Sequence, residues 1–218
     1  MNDVSNVSTG KPKIGGAIFV APKGTALPTD AVSALSNAFK CLGYASEEGL
    51  TNENTAETSE IKAWGGDVVA TPQTAKPDRF KTTLIETLNV HVLKTVYGDE
   101  NVSGTLEDGI TVRANSKPQP PLVWVFELIL NDALKRVVIP EGSVKEVAEI
   151  NYKDDKVTGY QTTINAAPST AIEGDTHREY IKKATTTAAD ANAATNAAAN
   201  AATNAAANAA ANNQGGTA

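Results

Sequence analysis

The clearest hydrophobic pattern in the chain is Leu122–Leu130, where both alternating sets of positions are apolar apart from Glu127. A strand with two apolar faces is covered on both sides, so this segment is predicted to lie centrally in a sheet. Shorter segments predict further strands at residues 14–21, 43–49, 60–70, 79–86, 135–139, 145–152 and 157–165. Turn signals at Pro140-Glu141-Gly142 and Asp154-Asp155 separate the last three. Short strands at this spacing predict a mainly β chain, an antiparallel β-sandwich or barrel.

Two segments carry apolar residues at helical spacing and predict one or two short helices flanking the sheets. The first, Thr29–Leu42, repeats apolar residues at intervals of three and four after Asp30, which can cap a helix. A structured loop is the alternative for this segment. The second, Leu88–Tyr97, has an apolar stripe and is followed by Gly98 as a C-terminal stop.

The chain divides into three regions by composition. Residues 1–13 are polar and contain Gly10 and Pro12, which predicts a flexible N-terminal arm. Residues 14–183 form the predicted folded domain. Residues 184–218 contain 18 Ala, 7 Asn and a single charged residue, so this Ala/Asn-rich extension is predicted to be helical or disordered.

Charge narrows the range of partners. Residues 1–183 hold all 19 basic residues and 24 of the 25 acidic ones, a net charge of −5. This balance disfavours a protein that grips nucleic acid, but it allows a surface that keeps DNA at a distance. The sequence shows neither a signal peptide nor an apolar run long enough to span a bilayer, and its one cysteine, Cys41, forms no intrachain disulfide. We therefore expect synthesis and folding in a cytoplasm, without membrane contact.

The sequence lacks the usual catalytic patterns, including nucleophile elbows, phosphate-binding loops and paired-histidine metal motifs. Its two histidines, His91 and His177, are far apart along the chain. The two tryptophans, Trp64 and Trp124, are interpreted as core residues. No catalytic, cofactor-binding or metal-binding residue is predicted, and the protein is not expected to be an enzyme.

Four segments together resemble the major tail tube proteins of long-tailed, non-contractile bacteriophages. They are GAIFVAPKGTALPTDA (Gly16–Ala31), LGYASEEGLT (Leu42–Thr51), EIKAWGGDVV (Glu60–Val69) and FKTTLIETLNVHVLKTVYG (Phe80–Gly98). The resemblance covers about residues 14–165. It implies a β-sandwich flanked by a helix, which assembles into hexameric rings that stack into a tube in the virion tail.

The same resemblance implies the partners. DNA would pass through the tube without specific binding during genome ejection, and the tube would meet tape measure, terminator and distal tail proteins. In the tube, an acidic or neutral bore would let DNA slide, whereas a basic bore would trap it.

The tube hypothesis suggests two sets of candidate residues. The polar segment Leu50–Ser59 is predicted to be a projecting loop and, with the N-terminal arm, a candidate for contacts between rings. Its candidate stacking residues are Thr51, Asn52, Asn54, Thr55 and Thr58. The candidate acidic residues that line the bore are Glu47, Glu48, Glu53, Glu57, Glu60 and Asp67.

Two other functions are open from the sequence. One is a carbohydrate-binding adhesin on the virion surface, in which Trp64 would contact the sugar. The other is a capsid decoration or tail-completion protein, which copy number per particle would distinguish from a tube subunit.

Overall fold

The computed structural model describes residues 2–184, and the extension beyond residue 184 lies outside the described residues. Its elements are one α-helix, three short 3-10 helices and fifteen strands. The helices are α1 (Val90–Tyr97) and the 3-10 turns Val4–Asn6, Asp99–Asn101 and Thr170–Ile172. The strands are β1 (Gly10–Pro12), β2 (Ile18–Pro22), β3 (Lys40–Cys41), β4 (Ala45–Asn54), β5 (Glu57–Thr58), β6 (Ile61–Lys62), β7 (Val68–Ala70), β8 (Gln73–Ala75), β9 (Asp78–Leu84), β10 (Val102–Ser103), β11 (Thr111–Val112), β12 (Leu122–Leu130), β13 (Ala133–Val147), β14 (Tyr160–Ala166) and β15 (Arg178–Lys183).

One antiparallel sheet in the order β3-β2-β12-β13-β14-β9-β4 forms the body, and the predicted mainly β class is confirmed. The sheet curls around its core. This is shown by the rings of Phe80 on β9 and Phe126 on β12, which stack with centroids 6.0 Å apart. Neighbouring strands are about 4.8 Å apart, so two strands separated by two others could not meet in a flat sheet. The curl therefore gives two facing half-sheets with a core between them.

The predicted central strand is confirmed as β12, which has β13 on one side and β2 and β1 on the other. Its alternate faces enter two clusters. Trp124 and Phe126 pack in the main core between the half-sheets, while Val123 and Val125 pack outside under the segment that contains Phe39. Gly10–Pro12, within the segment predicted to be an arm, pairs with the end of β12.

Strand β13 is the largest departure from the sequence prediction. The expected turn at Pro140-Glu141-Gly142 is wrong, because one strand of 15 residues runs through it. Residues 133–142 pair with β12, and residues 142–147 pair with β14 on the other side, with register irregularities near the middle. Gly142 lets the indole of Trp124 lie against the strand, where Nε1 of Trp124 donates to the Gly142 carbonyl at 3.1 Å. The strand therefore bends and belongs to both half-sheets.

The two helix predictions have opposite outcomes. The second is confirmed as α1, whose N-cap is Asn89 and whose C-cap is Gly98, with Val92 and Val96 buried in the main core. For the first, the helix is wrong and the alternative of a structured loop is confirmed, since the segment 29–42 is a loop that ends in β3. Asp30 caps two backbone N–H groups there, but the chain then follows the outside of β12 and no helical turn continues.

The loop over residues 29–36 is fixed to the sheet by a buried charge. Arg136 on β13 is 1% exposed and donates to the carbonyl oxygens of Asp30 and Ser33, each at 2.8 Å. Its guanidinium also pairs with Glu127 on β12, and the second oxygen of that carboxylate accepts from Lys13 at 2.6 Å. Buried charges are tolerated where every donor and acceptor is satisfied, which is the case for this group.

Candidate assembly surfaces

A long exposed arm replaces the predicted polar loop. Residues 50–54 continue β4, so the loop prediction for Leu50–Ser59 is wrong over its first half. The predicted strand 60–70 is also wrong as a single strand, because it folds back at Gly65-Gly66 into the hairpin of β6 and β7. Together with the β5–β8 pair, this hairpin forms the β-arm, residues 55–77, which leaves the body between β4 and β9.

The β-arm has no core of its own, since every residue from 55 to 76 is exposed. Four apolar side chains near its tip face solvent: Ile61, Trp64, Val68 and Val69. Trp64 is 106% exposed, so its interpretation as a core residue is wrong, whereas Trp124 at 0% confirms that interpretation. An isolated two-stranded hairpin is marginally stable in water. The apolar tip of the arm is therefore not covered by any other described part of the chain.

The opposite end of the body also exposes large apolar side chains. The β-arm starts where β4 ends and β9 begins, whereas Leu84 marks the other end of β9. Next to that other end lie Tyr44, whose carbonyl accepts from Ile85, and Leu88, which precedes α1. The connection that enters β14 adds the exposed side chains of Tyr152 and Val157. The body thus has an apolar arm at one end and exposed apolar groups at the other.

Besides the short strands β1 and β3, two longer strands of the body have an open edge. Within residues 2–184, β4 pairs with β9 alone and β15 pairs with β13 alone. The ladder of β4 with β9 is continuous over Leu50–Asn54, and the outer side of this stretch has no strand partner within the described residues. Open edges of this kind are sites of strand addition.

The half-sheet made of β4, β9, β14 and residues 142–147 of β13 has a polar outward face. Burial alternates along β9, so Phe80 and Leu84 point to the core while Arg79, Lys81 and Thr83 point away. The β14 residues paired with these three are uncharged. They are Asn165, Thr163 and Gln161. We call this surface the polar face.

The six candidate acidic residues are not brought together. Glu47, Glu48 and Glu53 lie on β4, whereas Glu57, Glu60 and Asp67 lie on the β-arm. Of these, Glu53 is on the polar face, opposite Arg79 in the strand register. The candidate stacking residues divide similarly. Thr51, Asn52 and Asn54 are β4 residues, whereas Thr55 and Thr58 belong to the arm.

The closest contact between titratable groups near the base of the arm is Asp78 with His177. Burial by itself would raise the pKa of Asp78. Hydrogen bonds from Thr176, Asn52 and His177 outweigh burial and hold that pKa below its usual 3.8. Asp78 is 2% exposed, and His177 Nδ1 lies 2.5 Å from its carboxylate. These bonds tie the start of β9 to β4 and to the segment before β15, and the sequence did not predict this cluster.

Within residues 2–184, no three His, Cys, Asp or Glu side chains are grouped closely enough to hold a metal ion. None of the helices in that part of the chain is long and apolar enough to cross a membrane.

The open strand edges, the coreless arm and the polar face together describe a β-rich subunit built for assembly with other copies or other proteins. The family model described as phage tail tube protein matches residues 12–195. The chain therefore belongs to the phage tail tube protein family, as the resemblance in sequence suggested. It is a structural protein of the virion tail, and membership implies self-assembly into a tube together with other tail proteins. No curated protein matches the chain.

Proposed function

We propose that this subunit forms rings, hexameric as the resemblance implies, that stack into the tube through which phage DNA leaves the virion. The observation that carries the proposal is the β-arm, which exposes an apolar tip and lacks a core. The family match supports a tail tube, and the arm supplies a means of joining successive rings.

Within a ring, the open edge of β4 is the contact that we assign to the neighbouring subunit. Strand addition at this edge would extend the half-sheet of β4, β9, β14 and β13 from one subunit to the next. A contact between two different surfaces closes into a ring where the rotation permits, and stacking then lengthens it into a tube. The polar face would in this arrangement line the bore, and DNA would pass over it without specific binding.

Between rings, the β-arm reaches the next subunit. Its 11 residues from 55 to 65 span up to about 36 Å at 3.3 Å per residue, whereas the seven residues of β9 span about 23 Å. The arm is therefore long enough to cross the height of a neighbour's half-sheet and meet the apolar groups at its far end. In this proposal, Thr55, Thr58 and the apolar tip of the β-arm contribute to ring stacking. Thr51, Asn52 and Asn54, which lie on β4, contribute instead to the edge contact within a ring.

Trp64→Ala tests the stacking role. A buried aromatic at the centre of an interface contributes about 2 kcal/mol or more, so each lost contact raises the subunit concentration needed for tubes by about 30-fold. Trp64→Phe, which keeps an apolar ring, serves as the matched control and should retain most of the assembly. Negative-stain microscopy across a concentration series measures the effect, and the urea midpoint of unassembled protein should not change because Trp64 contacts no core.

Two results would overturn the proposal. The first is purified protein that stays monomeric under all conditions, together with virions in which antibody labelling finds the chain outside the tail tube. The second is Trp64→Ala protein that forms tubes at the same concentration as the wild type, which would remove the arm from the stacking contact.

The full exposure of Trp64 also favours a second candidate, an adhesin that binds carbohydrate. An exposed indole can stack on a sugar ring, and the hairpin tip presents it without obstruction. A glycan array probed with the wild type and Trp64→Ala would decide between the two. Glycan binding that Trp64→Ala abolishes, with tube formation unchanged, would favour the adhesin.

A further inference from the structure

The polar face carries its basic residues beside a single carboxylate. Arg79 and Lys81 both project from β9, and Glu53 on the adjacent β4 lies between them. The Glu53 carboxylate is 3.1 Å from Nζ of Lys81 and 3.8 Å from Nη1 of Arg79. The hydrogen bond from Lys81, and then the charge of Lys81, hold the pKa of Glu53 below its usual 4.5, so the group is ionised at neutral pH.

The β14 residues beside Arg79 and Lys81 are uncharged. Thr163 is opposite Lys81 and Asn165 is opposite Arg79, so neither cation has a second carboxylate across that side of β9. Ser143 on β13 continues the row beyond Asn165. The remaining charges of β13 in this half-sheet are one of each sign, Lys145 and Glu146. Arg79, Lys81 and Glu53 together carry a net charge of +1, and we call these three residues the basic site of the polar face. The other carboxylates of β4, Glu47 and Glu48, are exposed, and Glu146 on β13 lies opposite Thr163.

We propose that Glu53 masks Arg79 and Lys81 from the phosphates of passing DNA and so keeps the bore from retaining it. The inference rests on the proposed function, in which the polar face lines the conduit. Duplex DNA carries one negative charge per roughly 1.7 Å of axis, and each Lys or Arg that reaches a phosphate adds to a salt-dependent attraction. A cation already paired with a fixed carboxylate gains less from such a contact, because it must first give up its partner.

Stacking makes a small effect per subunit large. A ring of six subunits would display twelve masked cations. Each further ring would present another twelve at the equivalent position along the bore. Loss of Glu53 would change the charge of the bore by one unit per subunit along its whole length. The row of carboxylates therefore determines how freely DNA moves, although a single exposed ion pair contributes little to folding.

Glu53→Gln tests this role because it removes the charge and keeps the shape. Glu107→Gln is the matched control, with the same change at an exposed residue that lies outside both the polar face and the β-arm. Purified tubes are mixed with a short labelled DNA duplex and sedimented at 50 mM and 200 mM salt. We expect Glu53→Gln tubes to retain at least about 10-fold more duplex than the wild type at 50 mM salt and to release it at 200 mM.

A double variant separates masking from a purely structural role. Adding Lys81→Gln to Glu53→Gln removes one of the uncovered cations, so DNA retention should fall back toward the wild-type level. A structural defect caused by Glu53→Gln would not be repaired in this way. If Glu53→Gln prevents assembly, the same ranking is expected for unassembled subunits in a gel-shift titration with the duplex.

The outcomes distinguish this inference from the proposed function. Intact Glu53→Gln tubes that retain no more duplex than Glu107→Gln tubes overturn the masking role and leave the tube in place. Retention that rises equally in both variants overturns it too, since net charge alone would then explain the effect. A wild-type protein that makes no tubes counts against the proposed function itself.

Discussion

The buried ion pair between Arg136 and Glu127 offers the sharpest test of what holds the fold together. Arg136→Met keeps the length and apolar stem of the side chain but removes the charge. Glu127, which is 5% exposed, would then keep only Lys13 as a charged partner, and the carbonyl oxygens of Asp30 and Ser33 would each lose a donor. Removing one partner of a buried pair costs about 3–5 kcal/mol, because the other charge stays buried.

The measurement is urea unfolding of the unassembled subunit. With a urea dependence of about 2 kcal/mol per molar, a loss of 4 kcal/mol lowers the midpoint by about 2 M. Arg113→Met is the matched control on an exposed segment and should stay within about 1 kcal/mol of the wild type. The double variant Arg136→Met with Glu127→Gln should be more stable than Arg136→Met alone, since no uncompensated charge is then left inside.

The reasoning would be refuted by either of two results. One is an Arg136→Met midpoint indistinguishable from that of Arg113→Met. The other is a double variant whose loss equals the sum of the two single losses, which would show that the two side chains do not depend on each other.

Two further predictions concern the bend of β13 and the base of the β-arm. Gly142→Ala should destabilise the subunit by about 1–3 kcal/mol in the same assay, because the added Cβ would lie 2.5 Å from the Trp124 ring. A midpoint equal to that of the wild type would show that the indole moves aside freely. Since the pKa of Asp78 is lowered by folding, its contribution is full above about pH 5 and is lost as the pH falls through the folded value. Stability measured from pH 6 to pH 3 should therefore decline less steeply in Asp78→Asn, and parallel curves would contradict this.

The parts of the fold that the sequence predicted well are those in which local pattern and packing agree. Leu122–Leu130 is apolar on both faces, and it lies centrally because only a doubly covered position buries both. The helix α1 combines an apolar stripe with an Asn89 cap and a Gly98 stop, and each signal is local.

The errors come from contacts between residues distant in sequence. Pro140-Glu141-Gly142 has the composition of a turn, but Trp124 from the neighbouring strand packs on Gly142 and keeps the chain extended. The segment 29–42 has helical spacing, yet Arg136, about a hundred residues away, binds the carbonyl groups of its first part.

The candidate surfaces were predicted only in outline. A polar segment after residue 50 indicated a projection, but its β-arm form depends on pairings across the Gly65-Gly66 turn. Strand β15 was missed because its residues are largely polar, and pairing with β13 rather than apolar alternation makes it a strand. The neighbourhood of Glu53 depends on the register between β4 and β9, which composition does not reveal.

Strand β13 has a consequence for how the subunit comes apart. Its first part is hydrogen-bonded to β12 and β15 and its last part to β14, so a single stretch of backbone crosses from one half-sheet to the other. One half-sheet therefore cannot separate from the other without breaking the hydrogen bonds of β13. Loss of either half removes the template on which the other is paired, and the body should therefore melt in a single step.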